Sequence, residues 1–256
     1  MTRTRIIPVL LLHRAGFYKT RRFKDPVYLG DPVNILRIFN EKEVDEITIL
    51  DIAATPENRE PNFALLEDMA SECFMPLAYG GGLQTIVHIR RLFQIGFEKV
   101  ILNSTTFSQP QLITEAAALF GSQSVVVCID VKKSLLGGYD VVCNGARKKP
   151  GWKPVDWAVH VAGLGAGEVI INSVDRDGTM EGYDLDLISR VTKAVSIPVV
   201  ACGGARHVQD FADAVNQAHA SACAAGAMFV FQGRHRAVLI NVPTRQEIIH
   251  ALGTPS

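Results

Sequence analysis

The chain has 256 residues, 48% hydrophobic and 7% aromatic, enough for one large α/β domain or two small ones. Lysine and arginine total 26, as do aspartate and glutamate, so the bulk positive field expected of a nucleic-acid binder is absent. No run is long and apolar enough to span a bilayer, the N-terminus has no signal-peptide shape, and the five cysteines show no C-x-x-C spacing; reduced thiols in a cytoplasmic protein are expected.

In chain order, β-rich apolar runs at residues 5–12, 47–52, 75–80, 99–103, 124–131, 168–174, 197–202 and 221–225 predict eight strands. The runs are continuous rather than alternating, as strands buried on both faces are. Between them, apolar residues at helical spacing over 34–39, 63–69, 88–93, 112–119, 157–164, 187–195 and 211–218 predict helices. This rhythm predicts an α/β fold, a single (β/α)8 TIM barrel over residues 1–256, with an open doubly wound sheet as the competing topology. An internal repeat favours the ring. Pro76-Leu-Ala-Tyr-Gly-Gly-Gly82 is echoed by Pro198-Val-Val-Ala-Cys-Gly-Gly204 at an offset of 198 − 76 = 122 residues. The same offset pairs Glu46 with Glu168 and Asn103 with Ala225, as two half-barrels would.

In such a barrel the functional residues gather at the C-terminal ends of the strands. Glycines there let the chain turn tightly while presenting bare N–H groups, and a helix N-terminus beyond adds its dipole. Two phosphate cradles are expected on opposite sides of the mouth. One joins Gly82 to Asn103 and Ser104; the other joins Gly203 and Gly204 to Ala225 and Gly226, with Asp177, Gly178 and Thr179 adding amides. A lone glycine would only permit a βα turn, whereas two related cradles imply a long ligand with a phosphate at each end. No cofactor or metal is expected, because none of the seven histidines has a partner at ligand spacing. His13 reads as a solvated loop residue, and Trp152 and Trp157 as cover for the barrel beside its fifth helix.

The strings Arg5-Ile-Ile, Gly30-Asp-Pro32, Leu50-Asp-Ile52, Gly80-Gly-Gly82, Phe120-Gly-Ser-Gln123, Ile129-Asp130, Ser173-Val-Asp-Arg-Asp-Gly-Thr179, Gly182-Tyr-Asp184 and Gly203-Gly-Ala205 carry a family resemblance. From about Arg5 to Phe231 the chain resembles the HisF family, the cyclase subunit of imidazole glycerol phosphate synthase. The resemblance implies a (β/α)8 barrel that adds ammonia to a bis-phosphorylated nucleotide precursor, closes an imidazole ring and releases an aminoimidazole ribotide. It also implies a glutaminase (HisH-like) partner on the N-terminal face of the barrel. By resemblance, Asp130 is catalytic and Lys19 is the lysine of the loop after strand 1. The cradle residues hold phosphate, and Arg5, Glu46, Lys99 and Glu168 form the charged ring that gates ammonia entry.

The chain departs from the family at one catalytic position. Family members carry an aspartate at the ends of strands 1 and 5; here strand 5 keeps Cys128-Ile-Asp-Val131, but strand 1 reads Val9-Leu10-Leu11-Leu12. Leu11 and Asp130 are counterparts in the repeat, at an offset of 130 − 11 = 119. One member of an acid–base pair is hydrocarbon. Asn172 and Cys202 also replace the family's usual Thr and Ser, and the loop over residues 16–32 is more basic and aromatic than usual. That pattern resembles a paralogous branch linked to acetamidino-sugar formation in surface polysaccharides, working with a glutaminase and a sugar amidotransferase. Three functions are therefore weighed: ammonia delivery for sugar amidination, a histidine-pathway cyclase in which Asp51 or Lys19 stands in for Leu11, and a non-catalytic ammonia conduit.

Overall fold

The computed structural model describes residues 4–134 and 137–253; the one-domain expectation over 1–256 also takes in residues 1–3, 135–136 and 254–256, which lie outside the described residues. Eight strands arise where the apolar runs predict them: β1 (Arg5–His13), β2 (Ile47–Asp51), β3 (Leu77–Gly80), β4 (Lys99–Leu102), β5 (Val125–Lys133), β6 (Glu168–Ser173), β7 (Val199–Cys202) and β8 (Ala222–Ala225). Each pairs in parallel with the next. β8 returns to β1, with Arg5 opposite Ala222 and Pro8 opposite Ala225. The sheet closes, and the open alternative is excluded.

Closure explains why the strands are apolar throughout. Ile7, Val9 and Leu11 of β1 turn into the barrel, where they meet Ala78, Ile101, Val126, Cys128, Ile170, Val200, Ala222 and Ala224. The intervening Ile6, Leu10 and Leu12 pack outward in the layer shared with the helices. Both faces of each strand are buried, so a period of two is masked in the sequence. The helices are α1 (Pro32–Glu41), α2 (Phe63–Ser71), α3 (Ile86–Ile95), α4 (Gln111–Phe120), α5 (Pro154–Gly163), α6 (Leu185–Thr192), α7 (Val208–Asn216), α8 (Ala227–Val230) and α9 (Arg245–Leu252). Their starts follow from local chemistry. The side chains of Asp31, Thr85 and Asp184 accept the N–H groups of Asn34, His88 and Leu187, and Pro32 occupies the first turn of α1. No helix among the described residues is long and apolar enough to cross a membrane.

The segment after β1, read from sequence as a loop, is a β-ribbon. Gly16–Arg21 folds back antiparallel on β1, with Leu11 opposite Tyr18, and Lys24–Gly30 pairs with Gly16–Arg21 in turn. The turn between them places Arg22 and Phe23 at φ of 52° and 62°. Such a turn is normally signalled by asparagine or glycine; its absence hid the ribbon. A second hairpin extends β5, with Tyr139–Val142 antiparallel to its C-terminal half. Trp157, in α5, is buried and stacks on Phe107 at 4.5 Å, while Trp152 stacks on His160, so both indoles cover the barrel's flank as expected.

Candidate functional site

The strand ends enclose one large cavity of ≈ 380 Å³ at the C-terminal mouth. Asp130 lies in its inner wall, at the inward-facing position of β5, and is buried. β6 sets Asn172 directly opposite Asp130 in register. Asn172 Nδ2 donates to Asp130 Oδ1 at 2.9 Å, and Asn103 Nδ2 donates to Asp130 Oδ2 at 2.9 Å. Burial pushes the carboxyl up to about 6; the two amide donors oppose that rise, and the nearby charge of Asp177 adds to it. Leu11, the counterpart of Asp130 in the repeat, occupies the same wall within the apolar inner cluster. It offers no group that holds a proton.

Asp51 also lines the cavity. Its Oδ1 accepts from the N–H groups of Ala53 and Ala54, each at 2.9 Å, and its Oδ2 lies 3.4 Å from Arg59 Nη2. It organises the loop after β2. Lys19 is likewise committed: its Nζ sits 2.7 Å from Asp177 Oδ1, and Thr20 Oγ1 donates to Asp177 Oδ2 at 3.2 Å. The ribbon is thereby fastened across the mouth to the turn after β6. Arg22 N–H donates to Asp177 O at 2.8 Å, and Arg236 donates twice to Gly178 O at 3.0 Å.

Both expected cradles border the cavity. Gly82, Asn103 and Ser104 line one side; Asp177, Gly178, Gly203, Gly204 and Gly226 line the other. Among the described residues, the N–H groups of Ser104, Gly178, Gly204 and Gly226 have no acceptor. Gly204, at φ 116°, touches Gly182 so closely that a side chain there would overlap its carbonyl oxygen. Two expected members are not in the wall. Thr179 turns its hydroxyl back to Arg176 O at 2.9 Å, and Ala225 packs outward in the helix-facing core. The helix termini also differ from expectation. α3 and α7 begin several residues beyond Gly82 and Gly204, so only the 3-10 turn Ser104–Phe107 and the one-turn α8 start directly at a cradle.

At the opposite end, Arg5, Glu46, Lys99 and Glu168 form a closed ring of alternating sign. Arg5 Nη1 lies 2.6 Å from Glu46 Oε2 and Nη2 bonds Glu168; Lys99 Nζ lies 2.9 Å from Glu46 and 3.1 Å from Glu168. Both glutamates are buried. The four residues stand at or just before the starts of β1, β2, β4 and β6, where their side chains point inward across the floor.

Asn172 and Cys202, departures from the family pattern in sequence, both line the cavity. Asn172 clamps Asp130, while burial and then the charge of Asp177 push the Cys202 thiol up to about 12, which favours the protonated form. Arg147 also stands in the cavity wall, with no sequence signal of its own, because nothing in its local sequence marks a loop that folds over the mouth. His13 ends β1, pairs with Gly16 of the ribbon and packs edge-on against Tyr18 at 5.3 Å, so it lies in a strand rather than a solvated loop.

The fold and this site define a (β/α)8 barrel with a polar, glycine-rimmed cavity at its C-terminal mouth and a charged ring at its floor. Within that class the chain belongs to the family described as Histidine biosynthesis protein, whose model matches residues 5–235, and its relatives are HisF-like. It is 46% identical over 243 residues to a Pseudomonas aeruginosa protein named "Putative imidazole glycerol phosphate synthase subunit hisF2", covering 95% of this chain and 97% of the relative. A Leptospira interrogans protein named as a HisF subunit in the same terms is 44% identical, with 96% and 98% covered. "Imidazole glycerol phosphate synthase subunit HisF" of Alkaliphilus metalliredigens is 40% identical, with 98% of each chain covered.

Proposed function

We propose that this chain is a HisF-like synthase subunit that takes ammonia from a glutaminase docked on its N-terminal face and delivers it at the barrel mouth. In this reading the recipient is acetamidino-sugar formation for lipopolysaccharide or a related surface glycan, carried out in the cytoplasm with a sugar amidotransferase. The floor ring gates entry, the apolar interior lets neutral ammonia through, and the cradles hold the phosphates of a small-molecule ligand. The observation that carries the reading is the hydrocarbon counterpart of Asp130: Leu11 shares its wall, and Asp51 and Lys19, which could stand in for it, are held by other partners. General acid–base groups contribute on the order of 10²–10⁴-fold each, so ring closure with one carboxylate is slow. The relatives' printed names support the alternative, a histidine-pathway cyclase, at the level of the family.

Purified protein is supplied with ammonia and the bis-phosphorylated ribulosyl nucleotide precursor of the histidine pathway. Turnover is expected to lie at least about a hundredfold below that of a HisF cyclase carrying both aspartates. Equal turnover sinks the amidination reading in favour of the cyclase. Leu11→Asp is expected to raise that turnover; no gain would mean that the missing carboxylate is not the main loss.

A further inference from the structure

The cavity wall holds two cations, and their situations differ. Lys19 is buried and pairs with Asp177 at 2.7 Å, so that side of the mouth carries little net charge. Arg147 is exposed, lines the same cavity and makes no side-chain hydrogen bond or ion pair among the described residues. No carboxylate of the wall neutralises it. Asp51 is held by two backbone amides and Arg59, and Asp130 by the amides of Asn103 and Asn172.

The backbone before Arg147 is held in an uncommon shape. Asn144, Gly145 and Ala146 follow one another at φ of 53°, 64° and 62°. Alanine disfavours that left-handed region, so the surrounding structure must impose it. Asn144 N–H donates to Ser104 Oγ of the first cradle at 2.9 Å, and within the turn Arg147 N–H donates to Cys143 O at 3.1 Å. The turn that carries the unpaired guanidinium is thus tied to the residue whose own N–H is unused. Gly82, another residue of this cradle, spends its N–H only on a long contact of 3.4 Å to Thr55 Oγ1. A planar guanidinium suits a phosphate because its fork offers two parallel donors to two oxygens.

We infer that Arg147 is a specificity-determining residue of this cavity. Its guanidinium clamps the terminal phosphate of a phosphomonoester seated on Ser104 and Gly82, and this cradle holds the more tightly bound of the ligand's phosphates. The inference rests on the reading of the cradles as phosphate sites, and the experiment separates the two. Inorganic phosphate is titrated calorimetrically at low salt into the wild type, Arg147→Ala and Arg147→Lys. The wild type is expected to show two classes of site. Arg147→Ala weakens the tighter class roughly tenfold or more, since hydrogen bonds to charged groups are lost with a guanidinium. Arg147→Lys recovers part of that loss, because it restores the charge without the fork. Unchanged phosphate affinity in Arg147→Ala, or weakening confined to the looser class, overturns the inference and leaves the cradles standing. A wild type that binds no phosphate overturns both.

Discussion

At Asp130, two amides have to hold what one carboxylate demands. Burial raises its carboxyl to about 6, against an ordinary value near 4 in the unfolded chain. The native protein therefore binds the proton more tightly than the unfolded chain does. Stability from this group is undiminished below the unfolded value and falls as pH rises through about 6, so at pH 7 the buried charge is a cost. Asp130→Asn is expected to stabilise the protein by about 1–3 kcal/mol at pH 7, measured by urea unfolding. The gain over the wild type should shrink towards zero as pH falls through that window; a gain independent of pH would refute the assignment. Asn172 can accommodate the change, because its buried Oδ1 has no partner and a flip of its amide would offer that oxygen to the introduced side-chain amide. Asp130 itself was legible in the sequence from its motif. Its clamp was not: Asn172 is 42 residues away and meets it only through the β5–β6 register.

Among the elements, the ribbon after β1 shows how tertiary contact overrides a weak local signal. Its turn lacks glycine and asparagine, so its own sequence does not specify a hairpin. The β6 loop supplies what is missing, through Lys19 and Thr20 on Asp177 and through Arg22 on the Asp177 carbonyl. Gly178 is the pivot of that contact. It sits at φ 68°, and a side chain there would press on the carbonyl oxygen of Thr20. Gly178→Ala is expected to cost about 1–3 kcal/mol and to push the ribbon off the mouth. Amide hydrogen exchange over residues 16–30 should accelerate while exchange in the barrel strands stays slow; an unaltered ribbon would mean that other contacts hold it. Helices α1 to α7, by contrast, were legible as elements because their apolar spacing repeats within a few residues, whereas the one-turn α8 and the exposed α9 carry no such stripe.

Across the whole molecule, the floor ring ties together four strands that are not all neighbours. Each glutamate is buried and bonded by both cations, so removal of one cation leaves each carboxylate half satisfied. Lys99 and Arg5 keep some contact with solvent, which lowers the expected penalty below that of a fully buried pair. Lys99→Met is expected to cost about 1–3 kcal/mol in urea unfolding at low salt, with a smaller loss at high salt. An unchanged midpoint would mark the ring as contributing nothing to stability. The repeat places Glu46 and Glu168 at equivalent points of the two halves, and closure of the barrel then brings both against the same two cations.

The eight barrel strands, helices α1 to α7 and the glycine turns could be read along the chain, because they depend on residue identity and on spacing over a few positions, and the resemblance to the family marked Leu11 as a lost carboxylate. Which polar groups meet was settled in three dimensions. Asn103 reaches Asp130 across 27 residues, Asn172 across 42, and Lys19 reaches Asp177 across 158. Those meetings depend on strand register, on closure of the sheet and on loops folded over the mouth, none of which leaves a local periodicity in the chain.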